Sequence, residues 1–397
     1  MSTSHALPAL LRGWAVARRM GQTTFLLWAR LSGYWRRAER RAQQFWIVDR
    51  VEAWMRASRD GASLIGWRQM LSFQKWAARH SRWVRDLEAL AQDILQGKRL
   101  THGQAVALDV DDLPWSGDWR GTRVSELSRL GFLLPLAQMT ALEEQSKWRM
   151  HISRIAADWA RNHPIGRSVG WAPTECALRG IHLAIVAQIM AVAPSMSGEL
   201  VAPLLRLLSL HGRIVYHHAH EAGVSDNQRT ARLVSLLIVG SCLLPGYAPA
   251  RRWVRYAAAR IDAEIERRLG GAASAAKGSL RDRRRAAEML LLALATMERL
   301  GFGVEDRSRE WLARACGAIG PREDESDDVQ VGMLELRFDP YRDADRCLFH
   351  PLAAAYFDDP NMSAAVRRPS SSVPWLLGDW ERDRGAGAPP AADKVGF

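Results

Sequence analysis

Three short stretches of this sequence place chemically capable side chains at helical spacing. In WAPTECALR, Glu175 and Arg179 are four residues apart, four and eight residues after Trp171, so a helix brings the two charged residues to one face. A carboxylate and a guanidinium one turn apart can pair with each other, or the Arg fork can grip an external carboxylate, sulfate or phosphate. In VYHHAHEAG, His217, His218, His220 and Glu221 are side-chain types that ligate metals. Adjacent His residues diverge on a helix, so one closed site cannot use them all, and neither a metal nor another cofactor is expected. In VSDNQRTARL, Ser225 and Gln228 are spaced as a capping box: the Ser accepts from the amide three residues on while the Gln reaches back. Asn227 is surplus to that cap. It puts a neutral amide in the first turn of a helix, near the positive end of the helix dipole.

The elements that carry these residues are helices. From about residue 125 to 268 the apolar pattern is helical, with loops at 163–173, 193–198, 223–226 and 245–249, and helices of this length with short connections form stacked hairpins. Helix resumes over 281–300, after the small-residue segment 269–279, and no period-2 run of any length appears. Residues 180–198 and 233–250 approach membrane-span length without charge. Each contains Pro, Gly or hydrogen-bonding side chains, so buried helices are expected and no membrane span.

Composition narrows the class. The 397 residues include 48% hydrophobic residues and 17 Trp, a packed globular chain rather than a disordered one. Cys176, Cys242, Cys316 and Cys347 are far apart and form no CxxC pair, which excludes a zinc ribbon and a disulfide framework. The net charge of +12 is uneven: residues 1–100 hold 18 Lys or Arg against 7 Asp or Glu, and the remainder 37 against 36. Only five of the 55 basic residues are Lys, so an anionic polymer is a reasonable partner and solvated helix faces the plain alternative. The Trp of the N-terminal part (Trp28, Trp35, Trp46, Trp54, Trp67, Trp76, Trp83) recur at turn spacing, as core residues do. No Gly-rich loop, zinc finger or RNP-like motif accompanies that basicity, and nucleic acid is not the expected partner. The N-terminus lacks a small-residue cleavage site, which leaves the cytoplasm as the default location. Residues 1–108 read as a basic Trp/Arg-rich helical region, 122–380 as a second helical domain, and 381–397 as a disordered tail.

Four segments carry a resemblance. They are ISRIAADWARNHPIGRSVGWAPTECALRGIHL, the stretch from SLHGRIVYHHAHEAGVSDNQ to IDAEIERR, GSLRDRRRAAEMLLLAL, and YRDADRCLFHPLAAAYFDDPNMSAAVRRPSSSVPWLLG. Together they resemble the helical domain of the heparinase II/III-like polysaccharide lyases, over roughly residues 125–380. The resemblance implies an all-α fold, an incomplete (α/α) toroid of stacked helical hairpins, preceded here by the basic Trp-rich helical part. It implies action on an acidic, uronic-acid-containing polysaccharide by β-elimination. Asn227 then stands at the catalytic position that neutralises the uronate carboxylate, with Trp171, Glu175, Arg179, His211 and Gln228 at substrate-binding positions.

The chain departs from that pattern where the chemistry would sit. Lys277, Asp282 and Arg283 occupy the positions of the family's Glu, catalytic Tyr and following His, Ser279 is kept, and Gln228 replaces the usual His after the signature Asn. The family's β-sandwich has no counterpart in this sequence and would come from a separate chain. Two readings follow: a lyase whose base is Asp282, Tyr216 or a His, or a non-catalytic polysaccharide-binding or exopolysaccharide-assembly protein that keeps the cleft. A basic nucleic-acid-binding helical protein is a third, resting on N-terminal charge alone.

Overall fold

The structure, a computed structural model, describes residues 21–62, 64–98, 115, 127–144, 146–165, 169–221, 223–270, 280–319, 349–359, 362 and 370–377. The linker at 109–121 (apart from Trp115), the Lys277 and Ser279 positions, the acidic segment 320–330, the tail from 381, Cys347 and the side chain of Trp28 lie outside the described residues.

The described residues are all-α, with no strand among them. The N-terminal helices are α1 (Gly21–Phe45), α2 (Val48–Ala57), α3 (Trp67–Arg79) and α4 (Ser81–Leu95). Four hairpins follow: α5 (Leu133–Leu142) with α6 (Ser146–Asn162), α7 (Pro173–Val192) with α8 (Gly198–His217), α9 (Asp226–Leu243) with α10 (Pro249–Leu269), and α11 (Leu280–Arg299) with α12 (Asp306–Ile319). Two short helices, α13 (Phe349–Phe357) and α14 (Ser372–Leu376), come last. The four loops read from sequence fall between these helices. Pro173 and Pro249 open α7 and α10 at first-turn positions, where a missing N–H leaves no extra orphan.

Within each hairpin the first helix is inner and the second outer. The inner helices α5, α7, α9 and α11 pack side by side, and each outer helix covers its partner's back. An inner helix is therefore enclosed on nearly all sides, and its sequence is apolar all round. From Cys176 to Val192 every residue of α7 is buried. By length and composition α7 could cross a membrane, yet 94% of its apolar window is buried inside the fold. Outer helices such as α10 instead alternate a buried stripe (Trp253, Val254, Ala257, Ile261, Ile265) with exposed Arg.

The inner helices run in the same direction. Gly180 in α7 faces Ser235 and Val239 in α9, and two turns on Gln188 lies beside Cys242. At the start of the helices Asn227 in α9 bonds Asp282 in α11. The N-termini of successive inner helices therefore meet at one end, which we call the mouth. The hairpins build an incomplete (α/α) toroid, whose gap is bridged by α13, which packs on α11 and α12, and by α14, which packs on α13 and back on α3. There Trp375 stacks on Phe73 at 4.4 Å between ring centres, and Gln138 of α5 donates to Ser371 Oγ at 3.0 Å.

The N-terminal helices share this core. Trp46 Nε1 donates to Ser209 Oγ at 2.6 Å, Trp54 Nε1 to the Cys242 carbonyl at 2.7 Å, and the Ile65 amide to Gln188 Oε1 at 2.8 Å. Trp35, Trp46, Trp54 and Trp83 are buried, Trp76 is half-buried against His80, and Trp67 is exposed. The compositional boundary near residue 108 is thus a change in charge, while one hydrophobic core runs across it.

The closest helix approach sets a stability test. A Cβ on Gly212 of α8 would lie 2.1 Å from the buried Trp253 ring, whereas one on Gly33 of α1 would meet only the tip of Arg37 at 4.0 Å. Gly212→Ala should destabilise by about 1–3 kcal/mol through overpacking, and Gly33→Ala should stabilise by roughly 0.5–1 kcal/mol through helix propensity. Denaturant midpoints check both signs.

Candidate functional site

The mouth collects the polar residues that the sequence singles out. Below its surface lies Arg179, in the second turn of α7 and fully buried. Its Nε donates to His211 Nε2 at 2.7 Å, and one terminal nitrogen donates to the Ser128 carbonyl at 2.8 Å and Ser128 Oγ at 3.0 Å. The other donates to the Gly170 carbonyl, and the guanidinium sits 3.8 Å from the centre of the Trp159 ring. Burial pulls the Arg179 pKa down to about 10, so the group stays charged at neutral pH. Among the described residues no carboxylate bonds it. Carbonyl dipoles, a hydroxyl, an imidazole lone pair and an aromatic face replace its water.

This geometry fixes the tautomer of His211. With Nε2 accepting from Arg179, the ring proton is on Nδ1 and is donated to the Leu207 carbonyl at 2.6 Å. Burial first, and the Arg179 charge second, hold the His211 pKa well below its ordinary value. Trp171 packs on His211 at 4.9 Å and donates its indole N–H to the His163 carbonyl at 2.7 Å. His163 in turn stacks on Trp159, 4.4 Å away and nearly parallel, and burial lowers its pKa too.

Two sequence expectations change here. Glu175 and Arg179 share a helix but do not pair: Glu175 accepts two bonds of 3.0 Å from Arg129, just ahead of α5. Arg179 and His211 are fully buried and present no surface to a sugar, and Trp171 is only 8% exposed. These three residues form the support of the mouth, tying α5, α6, α7 and α8 together.

Asn227 lies at the surface of the mouth, in the first turn of α9, with both ends of its amide engaged. Its Nδ2 donates to Asp282 Oδ1 at 2.8 Å, and its Oδ1 accepts from Arg268 at the end of α10. Arg268 also donates to the Asp282 carbonyl at 3.2 Å. Gln228 completes the capping box, accepting from the Ser225 amide at 3.1 Å, while its own amide donates to Ser225 Oγ at 3.4 Å. Beside this group Asp226 is shared by Arg229, Arg267 and Arg268. Arg267 is bound by Glu264 as well, so carboxylates and guanidiniums interleave at this helix N-terminus.

The His cluster at the end of α8 does not converge. His217 packs edge-on against Trp35 at 5.9 Å, His218 lies 3.8 Å from Glu221, and His220 Nδ1 is 3.3 Å from the Tyr256 hydroxyl. Glu221 is held by Arg232 at 2.9 Å. Among the described residues no three His, Cys, Asp or Glu side chains gather as metal ligands. Cys176, Cys242 and Cys316 are buried free thiols, and burial pushes the Cys176 thiol up to about 12.

Sequence reasoning missed Arg129, Ser128, Trp159 and Arg268. Arg268 had a readable signal, since a basic pair closing α10 suits the negative end of that helix. Ser128 had none, because its contribution is largely a main-chain carbonyl.

No family model matches this sequence, and neither does any curated protein. Among solved structures, the chain is similar to a heparinase III gene product with methylated lysines, at 14% identity and a TM-score of 0.47. The similarity covers 60% of this chain and 40% of that one, a distant structural relationship, so the chain spans about two-fifths of that protein's length.

The buried imidazoles predict the pH response of the fold. Their folded pKa values lie below the unfolded value of about 6.5, so the unfolded chain binds more protons in that window. The penalty is absent above about pH 6.5 and grows as pH falls toward the depressed values. The melting temperature should therefore drop between neutral and mildly acidic pH, and His211→Gln, which keeps an acceptor for Arg179, should flatten that drop.

Proposed function

We propose that the mouth binds the carboxylates of an acidic, uronic-acid-containing polysaccharide. One observation supports this above the others: the Asn227 amide already holds a carboxylate, that of Asp282, with Arg268 fixing the amide from behind. A neutral donor near a helix N-terminus stabilises such a charge without forming a tight ion pair, and it gains strength as charge develops on the ligand. Asp282 then acts as an internal stand-in for a sugar acid. Glu175 and Gln228 border the same end of the toroid, and Arg179, His211 and Trp171 keep the helix starts in register beneath it.

Holding is better supported than cleavage. β-Elimination requires a base that takes the proton next to the carboxylate while the C–O bond on the neighbouring carbon breaks and the leaving oxygen gains a proton. Asp282 stands where the resembling family has its Tyr, and here it is bound to the residue that would receive the substrate. In a lyase reading, an arriving uronate displaces Asp282 from Asn227 and frees its carboxylate as the base. In a binding reading, the displacement only sets affinity. Either way the partner in this reading is an acidic polysaccharide.

Binding of uronate oligosaccharides by calorimetry tests the site. Asn227→Ala should weaken binding by about tenfold or more, and Asp282→Ala should tighten it by a similar factor, since each removes one charge-assisted hydrogen bond worth roughly 1.5–3 kcal/mol. Unchanged affinity in both variants would remove the pair from the site. Ultraviolet absorbance of the unsaturated uronate product separates the two readings: a signal lost in Asp282→Ala means elimination, and a flat trace with retained binding means a holding protein.

A further inference from the structure

The outer surface of α1 carries four arginines with no described bonding partner. Arg36, Arg37, Arg40 and Arg41 are exposed and belong to no described ion pair. Their spacing puts Arg36 above Arg40 and Arg37 above Arg41, two parallel rows with Cβ atoms about 6 Å apart along each. Tyr34, 40% exposed, heads the row of Arg37 and Arg41. The opposite face of α1, with Trp35, Ala38 and Ala42, is buried, so the rows are held rigidly outward. Glu39 is the one acidic residue on this helix.

The rows begin at the mouth. Trp35 contacts His217 at the end of α8. The next residue's carbonyl, that of His218, accepts at 3.0 Å from Arg232 in the second turn of α9, the helix whose first turn holds Asn227. From there α1 runs down α8 to Trp46, which reaches Ser209.

We propose that these arginines form an extension track for the acidic polysaccharide held at the mouth, gripping successive carboxylates as the polymer leaves the toroid. This rests on the reading of the mouth as a uronate site. Four guanidiniums with fork geometry suit repeated carboxylates. Because the apolar stripe of α1 is consumed by packing, little of it remains to enter a lipid surface.

The test is binding of a short oligogalacturonate and of long polygalacturonate to the full chain. Replacing Arg36, Arg37, Arg40 and Arg41 with Gln should leave the short ligand unchanged and weaken the long one at least tenfold. It should also lower the slope of log affinity against log salt by about three, at roughly 0.7–0.9 per lost contact. The charge-matched control replaces exposed Arg68, Arg79, Arg82 and Arg85 with Gln. Equal loss in the control, no loss in the α1 variant, or tighter arginine-dependent binding to an oligonucleotide or to phosphatidylserine vesicles overturns the proposal. The two failures are distinct. Short ligand bound with no α1 effect removes the track alone, whereas long polymer bound through α1 without any short-ligand binding removes the mouth alone.

Discussion

A buried positive charge held by neutral acceptors organises this fold. Arg179 sits at full burial among acceptors from four places in the chain: Ser128 ahead of α5, Trp159 on α6, Gly170 ahead of α7 and His211 on α8. An isolated buried cation is among the most costly things a protein can contain, so every donor of the guanidinium must be satisfied at once. That demand fixes where the first two hairpins stand relative to each other and which tautomer His211 adopts. It also explains why Glu175 is free to face Arg129: the charge one turn below it is already solvated by the protein.

The parallel inner helices follow from their composition as much as from any polar tie. Helices apolar on all sides can only be interior, and successive hairpins with short loops return each inner helix in the same sense. The cost is a set of helix starts gathered at one end, each with unsatisfied amides. The protein answers with polar side chains at those positions. Ser225 and Gln228 satisfy α9, while Asn227, Asp282 and Arg268 tie the starts of α9 and α11 to the end of α10. A mouth rich in donors and guanidiniums is thus a by-product of the architecture before it is a binding site.

Helix positions, loop positions and the capping box were readable because each depends on local spacing. Pro173, Pro249 and the Ser225–Gln228 pair announce their helix starts without reference to the rest of the chain. The partners of the mouth residues were not readable. Glu175 and Arg179 offer an obvious one-turn pair, yet Arg129 takes the first from 46 residues away and main-chain carbonyls take much of the second. A carbonyl has no sequence signature, so a side chain that ends on one looks available. Asn227 and Asp282, 55 residues apart, meet only because α9 and α11 are neighbours in the ring. The basic N-terminal part is set off in sequence by its charge, a property that says nothing of packing, and Trp46 and Trp54 reach from it into α8 and α9.

Those two indoles bear on how the chain is made. Trp54 reaches a carbonyl 188 residues later, and Trp46 a hydroxyl 163 residues later. During synthesis α1 and α2 leave the ribosome long before α8 and α9 exist to receive them. Their aromatic faces spend that interval without native partners, which favours slow, non-local completion of the core and exposure to chaperones or to other nascent chains. A surface dense in arginine on the same helices supplies like-charge repulsion throughout that wait, keeping neighbouring nascent segments apart until the pockets arrive.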